Sequence, residues 1–115
     1  MKKDNIVYLR HMLDAITRVE GYTAGVSSDD FMENNLVQAA VMREIEIIGE
    51  ATKKLSKDFK EKYCDIPWKK MAGMRDKLIH DYLGVDLDAV WNTVELDLPI
   101  LKDKIKKALS KEENT

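Results

Sequence analysis

The sequence predicts an all-α protein, an antiparallel bundle of four to five helices joined by short connections. Apolar residues recur every three or four positions along most of the chain, which is the spacing of one helix face. No stretch alternates polar and apolar residues as a convincing strand would. Nothing repeats, no low-complexity linker divides the chain, and 115 residues suffice for one domain but not for two. We therefore expect residues 1–115 to form a single helical domain.

The first half of the chain contains two predicted helices. Helix one extends from about Asp4 to Tyr22, where apolar residues follow the helical period. Helix two begins at Ser27 and Asp30, which are spaced as a capping box with aspartate in place of the usual glutamate. A short break near Asn34–Asn35 is expected within this second helix.

Helix two carries apolar residues around more of its circumference than one packing face requires. In so small a domain, this breadth favours contact with a partner subunit in addition to the core. Gly49 lies inside the helix at a cost of about 1 kcal/mol relative to alanine, which is tolerable if another backbone packs closely there. The charged stretch from Ser56 to Lys62 is typical of a solvated helix end.

Helix three is bounded by a proline and a glycine. Pro67 favours a first helical turn, and the helix extends to about Tyr82. Gly84 ends it within four residues of His80, so the histidine is expected near a helix C-terminus, where the helix dipole favours a protonated imidazole.

Helix four shows the cleanest amphipathic stripe of the sequence. Asp86 is its predicted cap, and the stripe continues to Leu109. Pro99 lies within it and is expected to kink the helix by removing one backbone donor.

The overall charge argues against contact with nucleic acid along the whole surface. The chain carries 19 Lys plus Arg against 21 Asp plus Glu, a formal net charge of −2, whereas proteins that grip nucleic acid along their length are strongly basic. Any contact with RNA must therefore be local. The one locally basic segment that also contains a histidine carries Lys69, Lys70 and Lys77 beside Arg75, and we expect a phosphate backbone to bind there.

Composition also indicates a reducing compartment. Cys64 is the only cysteine, which rules out an intrachain disulfide, and no Cys/His spacing typical of a metal site is present. Charges interrupt any signal-peptide core, and no apolar run approaches the ~20 residues of a membrane span. We expect a cytoplasmic protein with neither a metal nor a cofactor.

The densest group of titratable and hydrogen-bonding side chains lies between Gly73 and Tyr82. Arg75 is a permanently charged donor suited to phosphate oxygens, and His80 can transfer protons in both directions near neutral pH. On an ideal helix the two lie roughly 140° apart, so either the helix ends near His80 or a second chain completes the site. Asp76, four residues before His80, shares its face and can orient the imidazole. A lone histidine near a helix end is more often a cap or a packed polar group, so these residue types alone leave catalysis open.

The run from Arg75 through His80 to Tyr82 resembles the R-x4-H-x-Y motif of the HEPN (higher eukaryotes and prokaryotes nucleotide-binding) superfamily. It is most similar to HepT-like ribonuclease toxins, which are paired with MntA-like nucleotidyltransferase antitoxins. Three further blocks resemble HepT segments in the same order: 43–51, 66–75 and 84–91. The resemblance covers most of the chain, from about residue 8 to residue 109.

This resemblance implies a HEPN-type bundle and a metal-independent endoribonuclease, the toxin of a type VII toxin–antitoxin system. It implies RNA as the substrate, Arg75 and His80 as catalytic residues, and positions near the active site for Arg43 and Glu50. Surface ion pairing is an equally open interpretation of Arg43 and Glu50. Asp76 stands where many relatives carry asparagine, which weakens the case for its supporting role. Tyr82 matches the tyrosine to which the nucleotidyltransferase transfers AMP, a modification that silences the toxin.

Because one chain does not align Arg75 with His80, we expect a homodimer in which two such sites face each other across a two-fold axis. The alternative function is a non-catalytic helical module that binds a nucleotide or a partner, for example a substrate-binding helper of a nucleotidyltransferase. The weak overall charge favours that alternative mildly, whereas cleavage of RNA by the isolated chain would exclude it.

Overall fold

Helices account for the regular structure in the described part of the chain. The computed structural model describes residues 2–81 and 84–114, with side chains from Asp4 onwards. The predictions that fall on Tyr82 therefore lie outside the described residues. The helical elements are α1 Lys2–Thr23, α2 Ser28–Glu33, α3 Asn35–Lys54, α4 Lys57–Lys62, α5 Trp68–His80, α6 Leu87–Asn92, a π-helical segment Thr93–Asp97, and α7 Leu98–Glu113.

The four longest helices form a bundle in which α3 is central. α3 packs against α1 and against α5, and α1 also packs against α7. Near the end of α1, Arg18 pairs with Glu44 in the first half of α3. At the start of α1, Asn5 accepts a hydrogen bond from the backbone N–H of Ser56, just beyond α3. These two helices therefore run in opposite directions, and the predicted all-α bundle is confirmed.

Apolar side chains of the long helices and of the short helices α2, α4 and α6 form one continuous core. Its largest fully buried members are Phe31, Leu9, Met12, Ile16, Ile45, Ile48, Met71, Leu101 and Ile105. Each such side chain stabilises the fold by about 1.5–3 kcal/mol relative to remaining in water. In residues 2–81 and 84–114, no helix combines the length and the apolar character that crossing a bilayer requires.

The predicted boundary between helices one and two is confirmed. The Ser27 hydroxyl accepts the backbone N–H of Asp30 at 3.1 Å, and the Asp30 carboxylate accepts that of Ser27 at 3.4 Å, which completes the capping box. The expected break is also present, because Asn34 ends α2 and its side chain caps α3 by accepting the N–H of Val37.

The stretch from Ser56 to Lys62 was expected to be a solvated helix end, and that prediction is wrong. It forms a separate helix, α4, whose first turn is capped by the Ser56 hydroxyl bound to the N–H of Phe59. Phe59 is buried and packs beside Tyr63, with ring centroids 4.9 Å apart. The charged residues of α4 suggested a solvated segment, whereas Phe59 among them packs into the core and holds the helix to the bundle.

The broad apolar surface of α3 is accounted for largely within the chain. Because α3 lies between α1 and α5, side chains such as Val41, Ile45 and Ile48 are fully buried without a second subunit. Leu36, in the first turn, remains 80% exposed. The expectation of a homodimer therefore rests mainly on the geometry of Arg75 and His80.

Predicted helix four is irregular just before Pro99. The chain passes from α6 through the π-helical segment into α7, and the N–H of Leu98 bonds to the carbonyl of Thr93, five residues back. A proline one residue later has no N–H to donate. The π-helical turn therefore lies just before Pro99, the position at which an α-helix would lose one backbone hydrogen bond.

Candidate active site

Gly49 brings α5 unusually close to α3. A Cβ atom at this position would lie 2.2 Å from Cβ of Arg75 and 2.9 Å from the carbonyl oxygen of Met71. No side chain larger than hydrogen fits there without movement of the α5 backbone. The prediction that another backbone packs against Gly49 is confirmed by the Met71 carbonyl, and the side chain of Arg75 makes the closest approach.

The Arg75 guanidinium lies beside two carboxylates. Its Nη1 donates to Oδ1 of Asp76 at 3.0 Å, and its Nη2 is 3.8 Å from Oε1 of Glu50 on α3. Its Nε is buried and has no hydrogen-bond partner among the residues that the structure describes. The side chain is 25% exposed, so the cation is held in place while its hydrogen-bonding capacity is only partly used.

Asp76 is shared between two cations. Its Oδ1 accepts from Nζ of Lys53 at 2.5 Å as well as from Arg75. The hydrogen bond from Lys53, followed by that from Arg75, lowers the pKa of the Asp76 carboxyl below its usual range. Lys53 thereby offsets part of the negative charge that faces Arg75. A role for Asp76 in orienting His80 stays a prediction.

His80 is the last residue of α5 and is exposed to solvent. The helix ends immediately after it, because the N–H of Asp81 makes the final bond, to the carbonyl of Lys77. On an ideal helix Arg75 and His80 would lie roughly 140° apart, and one of the two proposed ways to align them was a helix end near His80. That helix end is present. Arg75 nevertheless packs towards α3, whereas His80 lies on the exposed side of α5.

The exposed side of α5 carries the predicted basic residues. Lys69, Gly73, Lys77 and His80 are all exposed and follow one another at intervals of three or four residues, which places them on one face. Lys70 lies beside this face and pairs with Asp97 at 2.8 Å. The histidine thus stands at one end of a row of cations.

The structure brings together only some of the predicted supporting residues. Glu50 meets Arg75, as described, while Arg43 is exposed and pairs with Glu46 at 3.6 Å on its own helix. Sequence reasoning missed Lys53. A signal was available, because Lys53 follows Gly49 by four residues and therefore shares the face of α3 that meets α5.

In the described part of the chain, no group of three or more His, Cys, Asp or Glu side chains could hold a metal ion. The chemical capacity of the site is that of a fixed guanidinium, an accessible imidazole and a row of lysines. A guanidinium binds phosphate oxygens, and an imidazole moves protons at neutral pH.

The described part of the chain is thus a helical bundle in which one helix carries a fixed guanidinium, an exposed imidazole and several lysines, groups that suit the binding of phosphate. The chain belongs to the HepT-like ribonuclease family, whose sequence profile matches residues 12–108. The family and the enzyme class expected from the motif, a ribonuclease, are both confirmed by this match.

Two relatives show the extent of the similarity. The chain is 46% identical over 107 residues to a protein named "Probable ribonuclease HepT" from Thermococcus cleftensis, covering 93% of this chain and 97% of that one. It is 50% identical over 109 residues to "Gamma-glutamylcyclotransferase and putative RNase" from Methanocaldococcus jannaschii. In that case 95% of this chain matches 49% of the relative, so the chain spans about half the length of that protein. No solved structure matches the chain.

Proposed function

We propose that this protein is an endoribonuclease that cleaves RNA by acid–base catalysis at His80 with charge stabilisation by Arg75, without a metal ion. The observation that carries the proposal is the seating of Arg75 against Gly49. It fixes a partly unsatisfied guanidinium within the same two helical turns as an exposed imidazole.

In this mechanism His80 moves the protons and Arg75 holds the phosphate. The imidazole removes the proton of the RNA 2′-hydroxyl, and that oxygen attacks the adjacent phosphorus. The bond from phosphorus to the 5′-oxygen of the next nucleotide breaks, and the leaving oxygen takes a proton from a His80 imidazolium. The guanidinium stabilises the negative charge that develops on the non-bridging oxygens. The products are a 2′,3′-cyclic phosphate and a 5′-hydroxyl.

A homodimer supplies the alignment that one chain lacks. Arg75 packs towards α3 and His80 points to solvent, so the Arg75 of one protomer and the His80 of its partner can act on the same phosphate across a two-fold axis. Lys69, Lys70 and Lys77 would guide the RNA backbone into this shared cleft.

The same motif supports a role as the toxin of a toxin–antitoxin pair that acts in the cytoplasm. The partner is an MntA-like nucleotidyltransferase that transfers AMP from ATP to the phenolic oxygen of Tyr82. A phenol can attack an α-phosphate when the partner supplies magnesium and a base. The added phosphate would place bulk and negative charge two residues from His80 and compete with RNA for Arg75.

The decisive assay is cleavage of RNA by the purified chain in the presence of EDTA. His80→Gln and Arg75→Ala should each lower the rate about 100-fold or more, with unchanged helical circular dichroism. Arg75→Lys keeps the positive charge but loses the planar guanidinium with its paired N–H donors. Its cleavage rate should lie between that of Arg75→Ala and that of the wild type. A 2′-deoxy substitution at the scissile position should abolish cleavage. If EDTA stops the reaction, or the 2′-deoxy substrate is cut, the proposed chemistry is wrong.

Neutralisation is tested by co-expression with the cognate nucleotidyltransferase. We expect one or more AMP masses on the peptide that contains Tyr82, together with loss of RNA cleavage. Tyr82→Phe should keep at least part of the ribonuclease activity and escape silencing. An adduct on Tyr8, Tyr22 or Tyr63 instead would reject Tyr82 as the acceptor and leave neutralisation to simple binding.

A further inference from the structure

A groove with a volume of about 590 Å³ lies between the end of α3, α4 and the start of α5. None of the proposed catalytic groups lines it. Its walls are formed by Thr52, Lys53, Lys57, Lys60, Glu61, Cys64, Ile66, Pro67, Trp68, Lys69, Lys70 and Ala72. It is larger than the depression of about 290 Å³ beside Lys69, Lys77 and Thr93.

The floor of the groove is apolar and firmly held. Pro67 and Ala72 present carbon surface, and Ile66 and Trp68 are buried beneath it. The indole Nε1 of Trp68 donates to the backbone carbonyl oxygens of Lys60 at 3.2 Å and Tyr63 at 3.0 Å. These bonds join the start of α5 to the end of α4, so the groove is preformed.

The rim of the groove is strongly positive although the whole chain is not. Five of the lining residues are lysines and one is a glutamate, in a protein whose formal net charge is −2. Among the described residues, no ion pair involves Lys60 or Lys69, and Lys57 comes no nearer than 4.0 Å to Glu61. Several cations therefore remain available to an anionic ligand.

The groove is continuous with the candidate active site through Lys53. Lys53 lines the groove, and its Nζ is bound to the same Asp76 oxygen that accepts from Arg75. Trp68 and Arg75 are seven residues apart on α5, which corresponds to about 10 Å along the helix. A chain that leaves Arg75 along α5 reaches the groove within a few nucleotides.

We propose that this groove binds the single-stranded RNA that flanks the scissile phosphate, with bases on the apolar floor and phosphates on the lysines. This role of the groove rests on the proposed ribonuclease function, and it would make the enzyme prefer long RNA to short RNA. Sequence-tolerant binding of single strands combines a cationic groove with aromatic surfaces on which bases stack. Here the lysines supply the cations, and Trp68 is the aromatic residue among those that line the groove. An acidic segment of a partner protein would need only the rim, so the floor favours RNA.

Cys64 provides a direct test of occupancy. It is the only cysteine in the sequence, is exposed and lies in the wall of the groove. A short mixed-sequence 2′-O-methyl RNA, which lacks a reactive 2′-hydroxyl, should slow alkylation of Cys64 in the 115-residue chain. Protection should weaken as salt is raised, because binding releases counterions. Poly-glutamate of matched charge is the comparison ligand and should protect poorly.

Charge removal at α4 gives the second test. Lys57→Gln with Lys60→Gln should abolish protection of Cys64 at a salt concentration where the wild type is protected. The slope of log binding constant against log salt should fall by about 0.7 for each lysine that contacts a phosphate. The matched control removes two exposed lysines of α7, Lys106→Gln with Lys107→Gln, and should retain wild-type protection.

Cleavage kinetics separate this proposal from the proposed function. The ratio of kcat/KM for a long RNA to that for a dinucleotide should fall several-fold in the Lys57→Gln/Lys60→Gln variant and stay unchanged in the α7 control. If no RNA is cut but Cys64 is protected as described, the ribonuclease function fails while the groove stands. If RNA is cut but the α4 and α7 variants behave alike, or poly-glutamate protects as well as RNA, the groove is not an RNA site.

Discussion

At Gly49, the absence of one methyl group decides how closely α5 approaches α3. The position of Arg75 depends on this contact, because its Cβ lies where a Gly49 side chain would be. Gly73 provides a contrast on α5, since a Cβ there would meet nothing within 4 Å. The two glycines lie in helix interiors and differ only in their surroundings.

Gly49→Ala and Gly73→Ala should therefore change stability in opposite directions. We expect Gly49→Ala to lower the free energy of unfolding by about 1–3 kcal/mol, because an overpacked contact must push the helices apart. Gly73→Ala should raise it by about 0.5–1 kcal/mol, since alanine restricts the unfolded chain and suits a helix. Urea unfolding followed by circular dichroism measures both. A stabilised Gly49→Ala would show that the α3–α5 contact is looser than described.

Tyr63 couples stability to alkaline pH. Burial, together with the hydrogen bond to Glu112 at 2.6 Å, raises the pKa of the Tyr63 phenol to about 12. The folded state thus favours the neutral phenol. Its stabilising contribution is complete below about pH 10, the ordinary tyrosine pKa, and is lost as the pH rises towards 12.

Tyr63→Phe should accordingly lower the free energy of unfolding by about 1–2 kcal/mol at pH 7, because a hydrogen bond to a buried carboxylate is lost. The difference from the wild type should shrink as the pH rises through about 10 to 12. Urea unfolding at neutral and alkaline pH gives the comparison. Tyr8→Phe, at a tyrosine with no hydroxyl hydrogen bond among the described residues, is the control and should change little at pH 7. If the difference in unfolding free energy between Tyr63→Phe and the wild type grew with pH, a raised pKa of Tyr63 would be contradicted.

At the scale of whole elements, the helix boundaries follow from short-range capping. Ser27, Asn34 and Asp86 each cap a helix by accepting the N–H three residues later, and sequence reasoning placed a boundary at or beside each of them. Ser56 makes the same local bond, but its helix was missed. The difference is that α4 depends on Phe59 reaching the core, which its charged neighbours did not suggest.

Ser56 also ties α4 to α1. Its hydroxyl accepts from the Asn5 side chain at 3.2 Å, and its N–H donates back to Asn5 at 3.1 Å. Ser56→Ala should lower the free energy of unfolding by about 1–2 kcal/mol. It removes the hydroxyl that caps α4 and leaves the side-chain N–H of the buried Asn5 without its partner. Hydrogen exchange should show faster exchange of the α4 amides. Ser110→Ala, at an exposed position of α7, should have almost no effect, and equal losses in both variants would argue against the cap.

At the scale of the whole molecule, the proposed shared cleft can be tested by mixing inactive chains. Arg75→Ala and His80→Ala are each expected to be inactive alone. If the Arg75 of one protomer acts with the His80 of the other, a mixed dimer contains one intact site. Unfolding the two variants together and refolding them should recover about one quarter of wild-type activity, since half of the dimers are mixed.

The result has a clear alternative. If each chain forms its own site, the refolded mixture stays as inactive as its components. Light scattering on the same samples gives the oligomeric state. A stable monomer at micromolar concentration, or a dimer without complementation, would remove the shared cleft while leaving the roles of Arg75 and His80 to the single-variant assays.

The sequence by itself determined the helical class, most helix boundaries, the family and the candidate pair Arg75 and His80. These depend on periodicity, on caps that join residues three apart and on a motif within eight consecutive positions, all of which are local. Only the tertiary structure decided that Lys53 shares Asp76 with Arg75, that Gly49 seats the arginine, and that lysines of α4 and α5 rim one groove. The physical reason is that packing joins positions many residues apart, such as 49 and 75 or 57 and 69, whose proximity follows from how α3, α4 and α5 pack and not from the pattern within any one helix.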